Sequence, residues 1–500
     1  EFDDSGDAMK RLPSSVFALC ALSASAAVPE KPTPLGIAWG FLYGYKGTKA
    51  EVYMPQLRQL GAGMTKVCVF WNQLEPEKGH YDWSASDAFV NQLHSPEEGL
   101  ISIFSSSLWA TRRASAILPP SPAKDPADYY RFIHAMVLRY KGRVRYWQNG
   151  TEPNSPVFWS GTKEEFVDEL RVFHKAVKDA DPDAMVIAGG YDGLFNPPGM
   201  FQYPSQKYGL DFFDYVIAEG ADAFDMFDVH LYADPYTIPW RVERIREMMR
   251  AHGHEKPILC TEYDGPGFFE FPPNIAYGSA VMKWARSVAN GDSRGGAEEV
   301  AALYAKMGTL AKQTQMFMEG CSADLQRKLE RLQARDLVMR NMLALSAGVQ
   351  KTMYWDLWHG TSRRDDMMHL MYSKMKLLEY DGGALTKRYP LADAFERMAK
   401  ELAGVESVER IAVPDKPSIY LFEVKRAKRT PVIVVWEKRD VFSGEDQPAI
   451  AFEWPWIFAD ASDTDALGQP VAVTVQGGHV HLDISVTPVF ITPGLSTRVP

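Results

Sequence analysis

Residues 144–179, VRYWQNGTEPNSPVFWSGTKEEFVDELRVFHKAVKD, contain one complete unit of the fold. The unit opens with a short run (144–148) of mostly β-branched and aromatic type, the pattern of a strand buried on both faces. It closes with a stretch in which Phe166, Leu170, Phe173 and Val177 recur at spacings of three and four, the pattern of a helix with one apolar stripe. Gly161 or Thr162 stands where that helix needs its N-terminal cap. Between strand and helix lies Asn149-Gly150-Thr151-Glu152-Pro153-Asn154, a polar turn at the C-terminal end of the strand.

Working outward, similar runs occur at 35–39, 65–71, 100–105, 185–188, 227–230, 257–261 and 351–355, with helical stretches between them. Alternating strand and helix units imply a parallel sheet with right-handed crossovers, and eight of them imply a closed (β/α)8 TIM barrel. A doubly wound sheet is the rival, but no glycine-rich phosphate loop follows the first run. The connection after the seventh run, 262–350, is long: a Pro/Gly/Phe-rich loop at 265–273, a glycine-rich piece at 291–296 and helical composition over 297–347. Such length marks a connection that shapes a substrate site. Past a final barrel helix at 391–402 the pattern changes to short β-rich segments (419–424, 432–436, 449–454, 471–475, 479–484, 489–491), as in a small C-terminal β-sandwich. The expected division is a barrel over 28–404 and an accessory β-sandwich domain over 405–500.

The chain has 500 residues, 46% hydrophobic and 24% charged, an ordinary globular composition. Its 54 basic against 64 acidic residues give a net charge of −10, with no basic surplus for nucleic acid. No stretch is apolar for the ~18 residues that span a bilayer, so no membrane partner is expected. Residues 9–27 read as a secretory signal: Lys10 and Arg11, an apolar run over 16–24, then the small residues Ala24-Ser25-Ala26. That reading makes the protein secreted or periplasmic, and 1–8 a cloning remnant or misplaced start. Cys68, Cys260 and Cys321 then remain, an odd and widely spaced set that suits neither a disulfide framework nor a zinc knuckle. Cys68 and Cys260, inside apolar runs, read as buried small hydrophobes.

In a (β/α)8 barrel the site lies at the C-terminal strand ends. Glu152 follows the fourth run and Glu262 ends the seventh, so two carboxylates face each other across the barrel mouth. Cleavage of a glycosidic bond needs such a pair, one to protonate the leaving oxygen and one to attack or to activate water. Aromatic residues collect near the same level. Of the 13 tryptophans, Trp39, Trp71, Trp109, Trp147, Trp355 and Trp358 fall at or beyond strand ends. Trp147 and Trp39 read as core. Trp71, Trp109, Trp159, Trp355 and Trp358 read as flat faces for sugar rings, with Asn72, Asp264 and Asp356 as hydroxyl partners. No metal or cofactor is expected: His230, Asp264 and His359 form the one trio worth weighing, and no His-x-x-x-His or paired-cysteine spacing supports it. No Gly-x-Ser-x-Gly elbow supports a serine hydrolase.

Trp71-Asn72-Gln73-Leu74-Glu75-Pro76 with Gly79, Tyr81, Asp82 and Trp83, then Glu152-Pro153-Asn154, then Pro257-Ile258-Leu259-Cys260-Thr261-Glu262-Tyr263, occur in this order. Together they resemble glycoside hydrolase clan A, and most of all family 39, the family of retaining β-xylosidases and related glycosidases. The resemblance implies Glu152 as general acid/base and Glu262 as nucleophile, with Thr151, Asn154, His230, Tyr232 and Tyr263 contacting substrate and Tyr232 as hydrogen-bond donor to Glu262. It also predicts a raised carboxyl at Glu152, beside aromatic walls and a second carboxylate. Two positions depart from the clan pattern. Thr151 stands where the clan has an asparagine that bonds the sugar 2-hydroxyl, which leaves Asn149 or Asn154 to compensate, or a substrate that differs at that position. Lys66 stands where an arginine is common near the nucleophile, a point charge in place of a fork. Asn149-Gly150-Thr151 also spells a glycosylation sequon, read as coincidental at a catalytic strand end. The expected activity is that of a retaining glycoside hydrolase on a plant or microbial poly- or oligosaccharide. The alternative is a non-catalytic carbohydrate-binding barrel.

Overall fold

The computed structural model describes residues 32–41, 49–200, 202, 206–292, 294–358 and 364–494, with backbone alone at 39–41. The leader and remnant readings at 9–27 and 1–8, the Trp39 side chain and His359 lie outside the described residues. Eight parallel strands close into a barrel in chain order: β1 (Leu35–Phe41), β2 (Met64–Phe70), β3 (Glu98–Phe104), β4 (Tyr146–Asn149), β5 (Met185–Asp192), β6 (Met226–His230), β7 (Ile258–Tyr263) and β8 (Thr352–Trp355). This is the (β/α)8 TIM barrel that the alternating pattern implied.

The interior is layered by the two-residue period of the strands. Its floor is apolar, with Met64, Leu100, Tyr146, Ile187, Met226, Leu259 and Met353 contributed by β2 to β8 in turn. β1 contributes Gly36, where a Cβ would lie 2.9 Å from Met353 Cγ, so a side chain there would collide with the floor. Two residues further along, the interior turns polar, with Lys66, Ser102, Gln148 and Asp228 all buried. The residues between, such as Val67, Ile101, Trp147, Val186 and Phe227, are buried against the surrounding helices. Being covered on both sides is why each strand is a continuous apolar run broken by single polar residues.

The helices follow their caps. Thr162 Oγ1 accepts from Glu165 N at 3.2 Å and Glu165 Oε2 from Thr162 N at 2.9 Å, a capping box that starts the Lys163–Ala180 helix. Asp125 Oδ1, 2.9 Å from Ala127 N, caps Pro126–Arg139. The long seventh connection has its own apolar cluster, in which Phe268, Phe271, Val300, Leu303 and Phe317 pack with Leu329 and Leu332 of the Ala323–Ser346 helix. That helix is buried along most of its length. Cys68 and Cys260 are buried free thiols.

After β8 come a hairpin, β9 (Leu378–Asp381) with β10 (Ala384–Arg388), and the Pro390–Glu401 helix. Eight further strands follow: β11 (Val405–Ile411), β12 (Ile419–Arg426), β13 (Arg429–Glu437), β14 (Ile450–Pro455), β15 (Ala461–Asp465), β16 (Val473–Gln476), β17 (His479–Ile484) and β18 (Val489–Pro493). They form a five-stranded sheet in the order β11-β12-β13-β18-β15 and a three-stranded sheet in the order β14-β17-β16. Leu421, Val435 and Ile491 of the first pack with Phe452, Val480 and Leu482 of the second. The opposite face of the larger sheet, with Phe422, Val434 and Trp436, joins the apolar layer around the barrel. Trp436 Nε1 donates to Tyr236 Oη at 2.9 Å, and Tyr236 packs on Tyr420 with ring centres 4.8 Å apart.

Charge reinforces this seam. Glu445 accepts from Arg331 at 2.8 Å and lies 2.7 Å from Arg335 and 3.1 Å from Lys328, all three on the Ala323–Ser346 helix. Burial alone would raise its carboxyl, but the three cations hold it down to about 2. A depressed carboxyl contributes stability that is complete above its unfolded value and lost as pH falls through the folded one. Glu445→Gln should therefore lower Tm at neutral pH, and the gap between variant and parent should close as pH falls from about 4.5 toward 2. Thermal unfolding across that window checks this.

Candidate active site

The site is built where β4, β5, β6 and β7 end. Gly150 and Glu152 take left-handed backbone, φ 70° and 43°, and between them the chain turns off β4 over the barrel mouth. Such a conformation in a glutamate costs free energy and persists only where neighbours enforce it. Here they do: Glu152 N donates to Gly190 O, and Asn154 clamps Asp192 through its amide, accepting from Asp192 N at 3.1 Å and donating to Asp192 O at 3.3 Å. The β5 register slips between Ala188 and Tyr191, at Gly189-Gly190. A Cβ on Gly189 would lie 2.8 Å from Asn149 O; one on Gly190 would overlap His230 Nε2 and lie 2.7 Å from Asp228 Oδ2. The two glycines make room for the Glu152 turn on one side and for the β6 side chains on the other.

On β7 the register also shifts, between Cys260 and Tyr263. Its effect is that two consecutive side chains, Thr261 and Glu262, face the same ammonium. Lys66 Nζ donates to Thr261 Oγ1 at 2.9 Å and to Glu262 Oε1 at 2.7 Å. Glu262 Oε1 also accepts from Thr151 Oγ1 at 3.3 Å, and Oε2 from Tyr232 Oη at 3.3 Å. His230 Nδ1 lies 2.8 Å from Glu152 Oε1 and 3.5 Å from Glu262 Oε2, bridging the two glutamates. Beneath them Asp228 accepts from Thr261 N at 2.8 Å and from Gln148 Nε2 at 2.6 Å, with His230 Nε2 at 3.7 Å. One oxygen of Glu152, one ring nitrogen of His230 and one oxygen of Glu262 all lie within 4.8 Å of one another.

The electrostatics follow from this packing. Burial would raise the Glu262 carboxyl; the charges of His230 and Lys66, with hydrogen bonds from Lys66 and Tyr232, outweigh it and hold the group below its ordinary value. Burial likewise works against the charged forms of His230 and Lys66, yet Glu262 and its neighbours leave both above their ordinary values. Lys66 is wholly buried, and such a charge is tolerated only when matched at close range. The carboxyl raised beside Glu152 is Asp192, pushed to about 7 by burial first and then by the charge of Glu152. Glu152 meets His230 through Oε1, and Tyr232 and Tyr372 stand near enough to feel its charge. A dication would find suitable distances among Glu152, His230 and Glu262, but the Lys66 ammonium 2.7 Å from Glu262 already supplies the positive charge.

Of the residues proposed from sequence, Glu152, Glu262, Thr151, His230 and Tyr232 come together, and Lys66 stands beside Glu262 as the clan pattern implied. Trp355 is half-buried at the end of β8. The others do not join this group. Trp71 is fully buried, stacked on Phe132 at 5.2 Å and bonded through Nε1 to Glu75. Trp109 packs edge-on against Trp71 and donates to Glu75 O. Trp159 is buried against Phe166 and donates to Thr162 O. Trp358 is buried against Tyr380 and donates to Glu379. Tyr263 turns away from the mouth to meet Asn341 Nδ2 at 2.7 Å. Asn72 accepts from Leu108 N, and Asn154 is occupied by Asp192. Asn149 is 1% exposed, accepting from Tyr129 Oη at 2.6 Å with its Nδ2 buried, so it neither compensates for Thr151 nor presents a glycosylation site. Asp264 faces Arg340, Glu270 and Asp336.

Sequence reasoning passed over Asp192, Asp228 and Tyr372. Asp228 was findable as a charge two residues before His230 in an apolar strand. Tyr372, from the Met367–Tyr372 helix, packs 6.4 Å from Tyr232 and carries no signal in its neighbourhood.

No protein-family model and no curated protein matches the chain. Solved structures do. A family 39 glycoside hydrolase from the gut symbiont Bacteroides cellulosilyticus WH2 superposes with TM-score 0.62 at 15% identity, over 93% of this chain and 81% of that one. A monomeric beta-xylosidase from Caulobacter crescentus CB15 gives 0.56 at 13% identity, over 93% and 97%. A family 51 alpha-L-arabinofuranosidase from Bifidobacterium longum gives 0.54 at 9% identity, over 95% and 98%. The chain shares their fold.

The packing around Gly190 makes a specific prediction. The methyl of Gly190→Ala would overlap the His230 ring, and so forces His230 off the Glu152–Glu262 bridge. The variant should keep its barrel circular-dichroism signature while the His230 imidazole, followed by nitrogen-15 NMR, titrates at lower pH than in the parent, because the two carboxylates that favour its charged form are no longer in contact.

Proposed function

We propose that the protein is a retaining glycoside hydrolase, with Glu152 as general acid/base and Glu262 as nucleophile. The observation that carries the reading is the placement of a Glu152 oxygen and a Glu262 oxygen within 4.8 Å of each other, bridged by His230. Retaining enzymes hold their carboxyl groups ~5–5.5 Å apart, inverting ones ~6.5–9.5 Å apart to admit a water between. One oxygen of each carboxyl within 4.8 Å of the other supports the shorter spacing.

Each neighbour has a role in that mechanism. Lys66 and Tyr232 keep Glu262 ionised and orient its two oxygens, so that it attacks the anomeric carbon while Glu152 gives its proton to the departing glycosidic oxygen. The glycosyl ester on Glu262 then yields to water, whose proton returns to Glu152. Formation of the ester removes the negative charge that matched Lys66, and return of the carboxylate restores the pair. No cofactor is needed. Thr151, on Glu262 Oε1 where an asparagine would reach farther, favours a substrate held less tightly at the 2-hydroxyl.

We read the substrate as a plant or microbial poly- or oligosaccharide, with β-xylosides, β-glucosides and arabinosides as first candidates. Residues 28–404 would form the catalytic barrel and 405–500 an accessory β-domain, in a protein exported by the leader at 9–27. Two measurements test the reading. Glu262→Ala should lower turnover of the best aryl glycoside by ~10⁴-fold or more, and unchanged turnover would sink the assignment. Proton NMR of the first-formed sugar should show retained anomeric configuration. Binding without turnover in the parent protein would establish the non-catalytic barrel instead.

A further inference from the structure

The long connection after β7 sends one side chain back beneath the site. Arg340, on the Ala323–Ser346 helix, is 1% exposed. One nitrogen of its guanidinium, Nη1, donates to Leu231 O at 2.6 Å and to Ala233 O at 2.7 Å, the carbonyls on either side of Tyr232. Its other nitrogens are fixed by Asp336, from Nε at 2.8 Å and from Nη2 at 2.9 Å, with Glu270 at 3.4 Å. Ala233 takes left-handed backbone, φ 65°, a conformation that a non-glycine residue holds only under constraint. The chain after β7 lies against the same ion pair: a Cβ on Gly265 would overlap Arg340 Nη2 and Asp336 Oδ2. One buried guanidinium therefore pins the segment carrying Tyr232 and abuts the segment carrying Glu262.

We propose that Arg340 is the positioning residue of this site, setting through Leu231 and Ala233 the place where the Tyr232 hydroxyl meets Glu262. The proposal rests on the glycosidase reading for its catalytic meaning but not for its geometry. Lysine keeps a buried positive charge and lacks the planar fork that spans two carbonyls and a carboxylate. The groups facing Glu262 are Lys66 and Cys68 from β2, Thr151 and Glu152 after β4, His230 and Tyr232 at and just past the end of β6, and Tyr372 from the Met367–Tyr372 helix; of these, Arg340 touches the chain of Tyr232.

The test compares Arg340→Lys, Tyr232→Phe and the double variant on the aryl glycoside that the parent turns over fastest among 4-nitrophenyl β-xyloside, β-glucoside and arabinoside. Arg340→Lys should lower kcat by about 10- to 100-fold with KM little changed, the scale of a displaced positioning group. The double variant should lose little beyond Tyr232→Phe, since both act on one hydrogen bond. The Glu262 carboxyl, followed by carbon-13 NMR, should titrate at higher pH in Arg340→Lys than in the parent, because the Tyr232 bond that favours its charged form is weakened. If Arg340→Lys fails to fold, Asp336→Asn frees the same guanidinium while keeping volume, and the same non-additivity and the same shift are expected. A Tm loss with kcat and the Glu262 titration unmoved overturns the proposal, as do losses that multiply independently. If the parent cleaves no glycoside, the glycosidase reading falls, and the carboxyl titration alone still decides the role of Arg340.

Discussion

Lys66 carries an ammonium into the middle of an eight-stranded barrel at zero exposure, and most of the site follows from having to match it. An unmatched charge there would cost several kcal/mol, so a carboxylate must stand within hydrogen-bond reach and the ammonium's remaining donors must be used. Glu262 is that carboxylate, and Thr261 and Thr151 are the other oxygens around the ammonium. To bring Thr261 and Glu262 to one cation, β7 gives up its regular pairing after Cys260. To bring Thr151 within reach, β4 must turn sharply, and Gly189-Gly190 in β5 make the room. Asp228 and Gln148 then complete a polar layer over an apolar floor.

The barrel was legible because strands covered on both faces announce themselves as compact apolar runs. Eight were read, and the barrel has eight. In the β-rich tail the five-stranded sheet was legible for the same reason in its inner strands and illegible at its two edges. β11 and β15, the two that went unread, are the two edges of the five-stranded sheet. Edge strands carry charge and polar residues to discourage pairing with other chains, as Glu406, Glu409 and Arg410 do in β11 and Ser462, Asp463 and Thr464 in β15. In that sheet the apolar pattern is thus weakest where the sheet stops.

At the site, position along the barrel axis was legible and direction around it was not. Strand-end position put Glu152 and Glu262 at the mouth, the family resemblance added His230 and Tyr232, and the four meet there. The tryptophans stand near the same level, yet Trp71, Trp159 and Trp358 turn into the helix layer, where their indole N–H groups find partners in Glu75, Thr162 and Glu379. A large amphipathic ring has the same appearance in sequence whether it stacks on sugar or on Phe132, because both call for a flat apolar face with one polar edge. Packing decided between them, through partners distant in the chain. Tyr372 and Arg340 stayed invisible for the same reason: each reaches the site from a connection, not from a strand end.

The Trp436–Tyr236 contact has a consequence for how this protein can evolve. Tyr236 sits just past β6, a few residues from Tyr232, and its ring is roofed by Tyr420 of the C-terminal sheet. Many multidomain chains join their modules through short polar linkers, and such modules can be shuffled between genes with little penalty. Here the seam is apolar, and it is locked by Glu445 onto the helix that bears Arg340. Grafting a foreign module in place of the sheets would leave a bare greasy flank on the barrel and three unmatched cations on one helix. Barrel and sheets must therefore be inherited as a pair, and mutations at their border are expected to co-vary with residues beneath the barrel mouth.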